Sequence, residues 1–303
     1  MENNKKNDPK SLAMVITSML IFGSIGVFRR YIPLSSTFLA FSRGILGGLF
    51  ILVFMKMSGK FTDGNSGDVS GSGVRGKLRA SHFLWLALVG AVMGVNWILL
   101  FEAYNHTTVA VATLCYYMEP TIVVLLSPLI FRERLTGRKA VCAGVAILGM
   151  VLVSGVLGGM VSGTGDIRGV LFGLSAAALY AAVVIMNKMI SGIDAYQRTT
   201  VQLLAAGIVM VPYLLLTGGF GGGDFTVRAI VLLLVVGIVH TGIAYLLYFG
   251  GMDGIRVQSI AILSYVDPVS ALFFSAVFLG EPLSLLGIIG AVMIIGSAII
   301  SEM

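Results

Sequence analysis

Apolar residues come in long runs along this chain, near 12–32, 36–57, 83–104, 107–131, 139–157, 168–190, 199–217, 227–250, 256–279 and 284–301. A helix that crosses the hydrocarbon core of a bilayer needs about 20 such residues. The pattern therefore predicts ten spanning helices joined mostly by short connections, an all-α integral membrane fold. One connection is long. "KFTDGNSGDVSGSGVRGKLRASH" (60–82) is rich in Gly and Ser and is expected to form a flexible polar loop. The leading "MENNKKNDPK" is polar, and the run behind it is longer than a signal-peptide core and lacks a small-residue cleavage site. That run is expected to be retained as the first helix.

Composition narrows the class. Of 303 residues, 57% are hydrophobic and 11% charged, with a mean hydropathy of +0.98; a soluble domain is nearer half apolar and a quarter charged. The net charge of +6 is scattered between apolar runs, which argues against a nucleic-acid partner. Cys115 and Cys142 both lie inside apolar runs with no His cluster at ligand spacing, so they read as small core residues, not a disulfide or metal site. No metal and no cofactor are expected. Gly71, Gly76 and Lys77 fit G-x-x-x-x-G-K, but Leu78 stands where a phosphate loop needs Ser or Thr; Gly71, Gly73 and Gly76 fit G-x-G-x-x-G. Neither follows a buried strand, so both belong to the loop.

Lys and Arg in the connections orient the spans. With the N-terminus in the cytoplasm, the inside segments hold Lys5, Lys6, Lys10, Lys56, Lys60, Arg75, Lys77, Arg79, Arg132, Arg134, Arg138, Lys139, Lys188, Arg198 and Arg256. The outside segments hold Arg29, Arg30, Arg168 and Arg228, and Arg43 falls within a span. Fifteen against four, with an even number of spans, places both termini in the cytoplasm of a multi-pass protein in the cytoplasmic (inner) membrane.

The two halves repeat. Shifted by 148 residues, "FEAYNHTTVAVATLCYYMEPTIVVLLSPLIFRERLT" (101–136) falls on "FGGMDGIRVQSIAILSYVDPVSALFFSAVFLGEPLS" (249–284). Tyr117 meets Tyr265, Glu119-Pro120 meets Asp267-Pro268, and Glu133 meets Glu281. Phe22 to Ile32 aligns with Tyr180 to Ile190 at an offset of 158, the long loop accounting for most of the difference. Each half thus holds five spans (1–157 and 158–303), and an odd number makes the second copy enter the membrane inverted. Inverted repeats with proline-broken helices are a construction of secondary transporters, with the site near the midplane.

Two five-span copies, each with an acid-proline helix, a "FRERLT" or "LGEPLS" turn (Glu133/Leu135, Glu281/Leu283) and a Gly-rich last helix, resemble the EamA-type members of the drug/metabolite transporter superfamily. The resemblance covers essentially the whole chain. It implies ten helices, cytoplasmic termini, and export or exchange of metabolites such as amino acids. One departure is that Glu102 and His106 stand where the second copy has Gly250 and Gly254.

Polar residues inside the spans carry the functional reading. Glu119 and Asp267 sit near mid-bilayer, where an ionised carboxylate costs roughly 3 kcal/mol or more and must face a cavity, find a partner or be protonated. Pro120 and Pro268 free backbone carbonyls one turn earlier, at Tyr116 and Ser264, which suits a polar cavity. Cation or proton coupling, or a counter-charge for an ammonium group, is one reading; a neutral acid that holds the helix break is the other. Arg43 keeps its proton, so it pairs with Glu119, Asp267 or Glu102 or binds an anionic group of the substrate. An acid and an arginine across one cavity would hold both ends of a zwitterion. Tyr116, Tyr117, Tyr265, Trp97, Tyr245 and Tyr248 lie near these positions and line the pocket or simply pack. His106 and His240 are weaker candidates for proton relay. By its place in the repeat, Glu119 is expected nearer Arg43 and Asp267 to take part in proton exchange.

A membrane enzyme would need a nucleophile–base set or a metal cluster, and a channel a charge ring or filter motif; neither pattern is present in the sequence. The expected protein is a secondary transporter of a small-molecule substrate such as an amino acid or related amine, an exporter or exchanger, with protons as candidate coupling ion and a monomer or homodimer in the lipid bilayer. The alternatives are uptake of a cationic or nucleoside-like metabolite, or a membrane receptor that transports nothing.

Overall fold

The computed structural model describes residues 7–58, 80–107, 109–153, 167–190, 192–220, 225–280 and 284–302. Outside these lie most of the expected 60–82 loop with its glycine patterns, the end of the fifth apolar run, and Glu281 and Leu283. Among the described residues there is no strand. The helices are α1 (Pro9–Arg29), α2 (Ser36–Met57), α3 (Ala80–His106), α4 (Val109–Tyr116), α5 (Glu119–Phe131), α6 (Gly137–Val153), α7 (Ile167–Met189), α8 (Ala195–Thr217), α9 (Val227–Gly237), α10 (Ala244–Gly251), α11 (Val257–Ser264), α12 (Val266–Phe274) and α13 (Leu285–Glu302). A π-helical turn, Ile238–Ile243, joins α9 to α10, and another, Ser275–Leu279, extends α12. Seven helical stretches are long and apolar enough to cross a membrane, and shorter apolar helices accompany them.

Local chemistry sets the ends and the breaks. Asp8 caps α1 by accepting from the amides of Lys10 and Ser11, with Pro9 in the first turn where its missing N–H is harmless. Ser35 caps α2 and Asp194 caps α8 in the same way. Helix α4 stops at Tyr116 and α11 at Ser264, each four residues before a proline that cannot bond back to that carbonyl. The prolines then fall in the first turns of α5 and α12, so each acid-proline pair starts a helix. Leu125, Leu129, Val141, Leu216, Phe278, Leu285 and Val292 are exposed. Such an apolar exterior suits hydrocarbon and not water.

Helix packing places the site. The bundle pairs α3 with α7 and α8, α2 with α8 and with α9 and its π turn, α1 with α10 and α12, α4 and α5 with α7, α5 with α11, and α6 with α13. Gly90 and Gly94 of α3 permit close approach to α8: a Cβ at either would meet backbone atoms of Gln202 or Ala206 at 2.3 and 2.6 Å. Exchanging α1, α2, α3, α4–α5 and α6 for α7, α8, α9–α10, α11–α12 and α13 converts these pairings into one another. The α3–α7 contact becomes α10–α1, α3–α8 becomes α9–α2, and α6–α13 maps onto itself.

Candidate functional site

Arg43 projects from α2 into the middle of the bundle. Its Nε donates to Thr241 Oγ1 at 3.1 Å, and its guanidinium carbon lies 5.5 Å from the centre of the Trp97 ring. Thr241 belongs to the π turn, where its hydroxyl donates to the Val236 carbonyl at 3.0 Å, so the same oxygen that fixes the turn accepts from Arg43. π turns are rare and concentrate at functional sites. Tyr116, Tyr180, Tyr245 and Asp267 share the electrostatic surroundings of Arg43.

Asp267, in the first turn of α12, accepts a hydrogen bond from the Tyr117 hydroxyl at 3.1 Å. Tyr117 lies in the break between α4 and α5, so one break supplies the donor for the acid of the other. Tyr116 packs edge-on against Tyr117 at 6.0 Å and stacks on Tyr180 at 5.7 Å. Arg43, Tyr116, Tyr117, Tyr180 and Asp267 lie deep among protein atoms yet keep part of their surface accessible. Trp97 and Tyr245 are buried behind them, 6.5 Å apart.

Glu119 shares Tyr116 and Tyr180 with this group but makes no contact with Arg43 among the described residues. It is 3% exposed, and its Oε1 has no hydrogen-bond partner among the described residues. The tyrosines that feel its charge are Tyr116, Tyr180, Tyr248 and Tyr265. The expected closeness of Glu119 to Arg43 is therefore corrected: of the two acids, Asp267 is the one within electrostatic reach of Arg43, with no ion pair between them among the described residues. Tyr265 bonds through its hydroxyl to Thr121 Oγ1 at 2.9 Å and packs with Ala146, Met150, Val269 and Ile294, away from Arg43. Glu102 accepts from the Tyr213 hydroxyl, with His106 Nε2 at 3.9 Å, and it makes no ion pair with Arg43 among the described residues. His240 bonds Ser24 Oγ at 2.9 Å. Among the described residues no group of three or more His, Cys, Asp or Glu could hold a metal ion.

Thr241 and Tyr180 were not singled out from the sequence. Tyr180 had a signal, because the repeat aligns it with Phe22, which packs against Tyr245 at 4.9 Å. The π turn around Thr241 had none.

Polar contacts gather at one end of the bundle around residues 252–259. Arg198 is fully buried; its guanidinium donates to Asp253 Oδ2 at 3.1 Å and to the Phe249 carbonyl at 3.2 Å. Lys188 donates to the carbonyls of Met252 and Ile255, Glu133 accepts from the Val257 amide at 3.2 Å, and Asn7 bonds the Arg256 amide and Ser259. The Ser11 hydroxyl and amide hold the Asp8 carboxyl below its ordinary range at the same end.

Apolar helices broken around charged side chains in the interior describe a multi-pass membrane protein. The comparisons say which kind. The model of the EamA-like transporter family matches residues 9–155 and again 167–303, and the chain belongs to that family. It is therefore a membrane transporter, as the sequence resemblance implied. Similar proteins include the uncharacterized transporter YxxF of Bacillus subtilis, 29% identical over 96% of this chain and 89% of that one. An uncharacterized transporter of Archaeoglobus fulgidus is 25% identical over 95% of both chains. Protein PecM of Dickeya dadantii is 27% identical over 73% of this chain and 74% of its own. A protein solved by crystallography shares the fold with a TM-score of 0.77 at 19% identity, over 96% of this chain and 97% of that one.

Proposed function

We propose that this transporter carries a small zwitterionic metabolite, an amino acid or related amine, across the cytoplasmic membrane as an exporter or exchanger. The observation that supports the reading is that Arg43 and the tyrosine-bonded Asp267 both lie deep in the bundle interior, within electrostatic reach of each other. Arg43 is gripped by its Nε and its face, so the forked end is left for a carboxylate. Asp267, bonded to Tyr117, which packs edge-on against Tyr116, offers a counter-charge with aromatic faces for an ammonium group.

The architecture in this reading is ten spans as two inverted five-helix repeats, with both termini cytoplasmic. The double match of the family model and the exchange of helix pairings between halves support it. The transport cycle is alternating access, with the 252–259 contacts as the closed cytoplasmic gate and protons as coupling ion. Counterflow in proteoliposomes tests the substrate class. Vesicles loaded with amino acids should exchange them, while carboxyl-amidated and deaminated analogues should each lose most of the signal. Equal exchange of the amidated forms would remove the role given to Arg43.

A further inference from the structure

A groove of about 460 Å³ runs between α6 and α13 on the outside of the bundle, far from the Arg43 group. Its walls are apolar side chains, among them Val141, Val145, Val292 and Ile300, and its mouth is formed by Gly137 and Arg138. We propose that this groove binds one anionic phospholipid, with the headgroup phosphate at Arg138 and an acyl chain along the walls.

Three observations select that occupant. The groove follows α6 from Gly137 to Val145, about 12 Å at 1.5 Å per residue, which is close to one leaflet of a hydrocarbon core about 30 Å thick. It ends where α6 meets α13 at Gly149, whose Cβ would stand 2.7 Å from the Gly290 carbonyl. A helix of a second copy would need a face along the whole span, whereas a lipid of one leaflet fits a groove closed at mid-depth. Finally, the mouth carries basic side chains. Although α13 ends at the same mouth with Glu302, Arg138 is exposed there at the start of α6. Arg132 and Arg134 are exposed in the connection just before it. An apolar slot with a basic mouth is the chemistry that selects anionic lipid.

Gly296 makes the test clean, because it lines the groove and a Cβ there meets nothing within 4 Å. Gly296→Leu therefore fills the slot without pressing on the core, and leucine is the better helix former. The full-length protein is reconstituted with spin-labelled phosphatidylglycerol or phosphatidylcholine, and the motionally restricted fraction is read. Wild type should prefer phosphatidylglycerol about five-fold. Arg138→Gln should bring the ratio towards one, and Gly296→Leu should reduce the restricted fraction of both lipids. Gly26→Leu, also into open space but on α1, should change neither. Equal retention of the two lipids by wild type, or no effect of Gly296→Leu, overturns the proposal. Displacement by inorganic phosphate alone would make the mouth a bare anion site, and a wild-type dimer that Gly296→Leu dissociates would make the groove an interface; either result also overturns it.

Discussion

Glu119 and Asp267 each precede a proline in the first turn of a helix that restarts inside the bundle, yet their carboxyls meet different surroundings. Asp267 accepts from Tyr117 and lies within electrostatic reach of Arg43. Glu119 is more deeply buried and has an oxygen without a partner and no ion pair among the described residues. The divergence arises in the neighbours. The hydroxyl of Tyr265, the residue aligned with Tyr117, is paired with that of Thr121, and the residue aligned with Thr121 is Val269, which has no hydroxyl. Arg43 aligns near Gln202, whose amide is taken by Asn187 at 2.8 Å. Two similar acid-proline motifs thus meet different surroundings, one carboxyl bonded by a tyrosine and the other with an oxygen unpartnered among the described residues.

The largest expected effect comes from removing what the Asp267 side has and the Glu119 side lacks. Arg43→Gln should weaken substrate binding about 100-fold, the scale of losing one partner of a desolvated charge pair. Titration calorimetry with an amino acid and its amide separates causes: the amide should bind wild type poorly and lose little more on the variant. Undiminished amino-acid affinity would show that the fork of Arg43 does not meet the carboxylate.

Next come the acids themselves. Asp267→Asn should reduce affinity by about 10- to 50-fold, since the neutral amide no longer offers a counter-charge. Glu119→Gln should leave affinity within about three-fold while flattening the response of transport to an imposed pH gradient, because a buried carboxyl without a fixed partner is a place to take up a proton. Both are read in vesicles with and without the gradient. The reverse pattern would assign substrate to Glu119 and break the contrast.

Much of this was legible before any coordinates. Long apolar runs are an unambiguous signal because hydrocarbon tolerates only internally bonded backbone. The breaks at Tyr116 and Ser264 follow from two prolines, whose missing N–H groups act at fixed offsets. The pairing of Arg43 was not legible, because the azimuth of a side chain on a helix apolar all round leaves no periodic trace. The choice between Glu119 and Asp267 depended on a π turn and on where two tyrosine hydroxyls reach. Nor could the repeat reveal it, because an alignment marks what the halves share and the asymmetry lies in Thr121 against Val269.

The two tyrosines sharpen the contrast at smaller amplitude. Tyr117→Phe removes a donor to a charged acceptor, worth about 1.5 kcal/mol or roughly ten-fold in affinity. The loss should vanish in an Asp267→Asn background, as a shared interaction requires.

Tyr265→Phe should do least. Its bond to Thr121 joins two neutral groups inside a packed cluster, where a typical net contribution is about 1 kcal/mol. That predicts a melting temperature lower by about 2 °C in a chain of this size, with affinity and gradient response unchanged within about two-fold. Thr121→Val, which copies the residue of the other half, should cost a similar amount, and the two changes together should not add, because they break one bond. Scanning fluorimetry of the two single variants and the double gives the stability terms, and counterflow gives the transport term. If Tyr265→Phe impairs binding as severely as Tyr117→Phe, the two helix breaks serve the substrate as an equivalent pair, and the asymmetry drawn from Thr121 and Val269 has no functional weight.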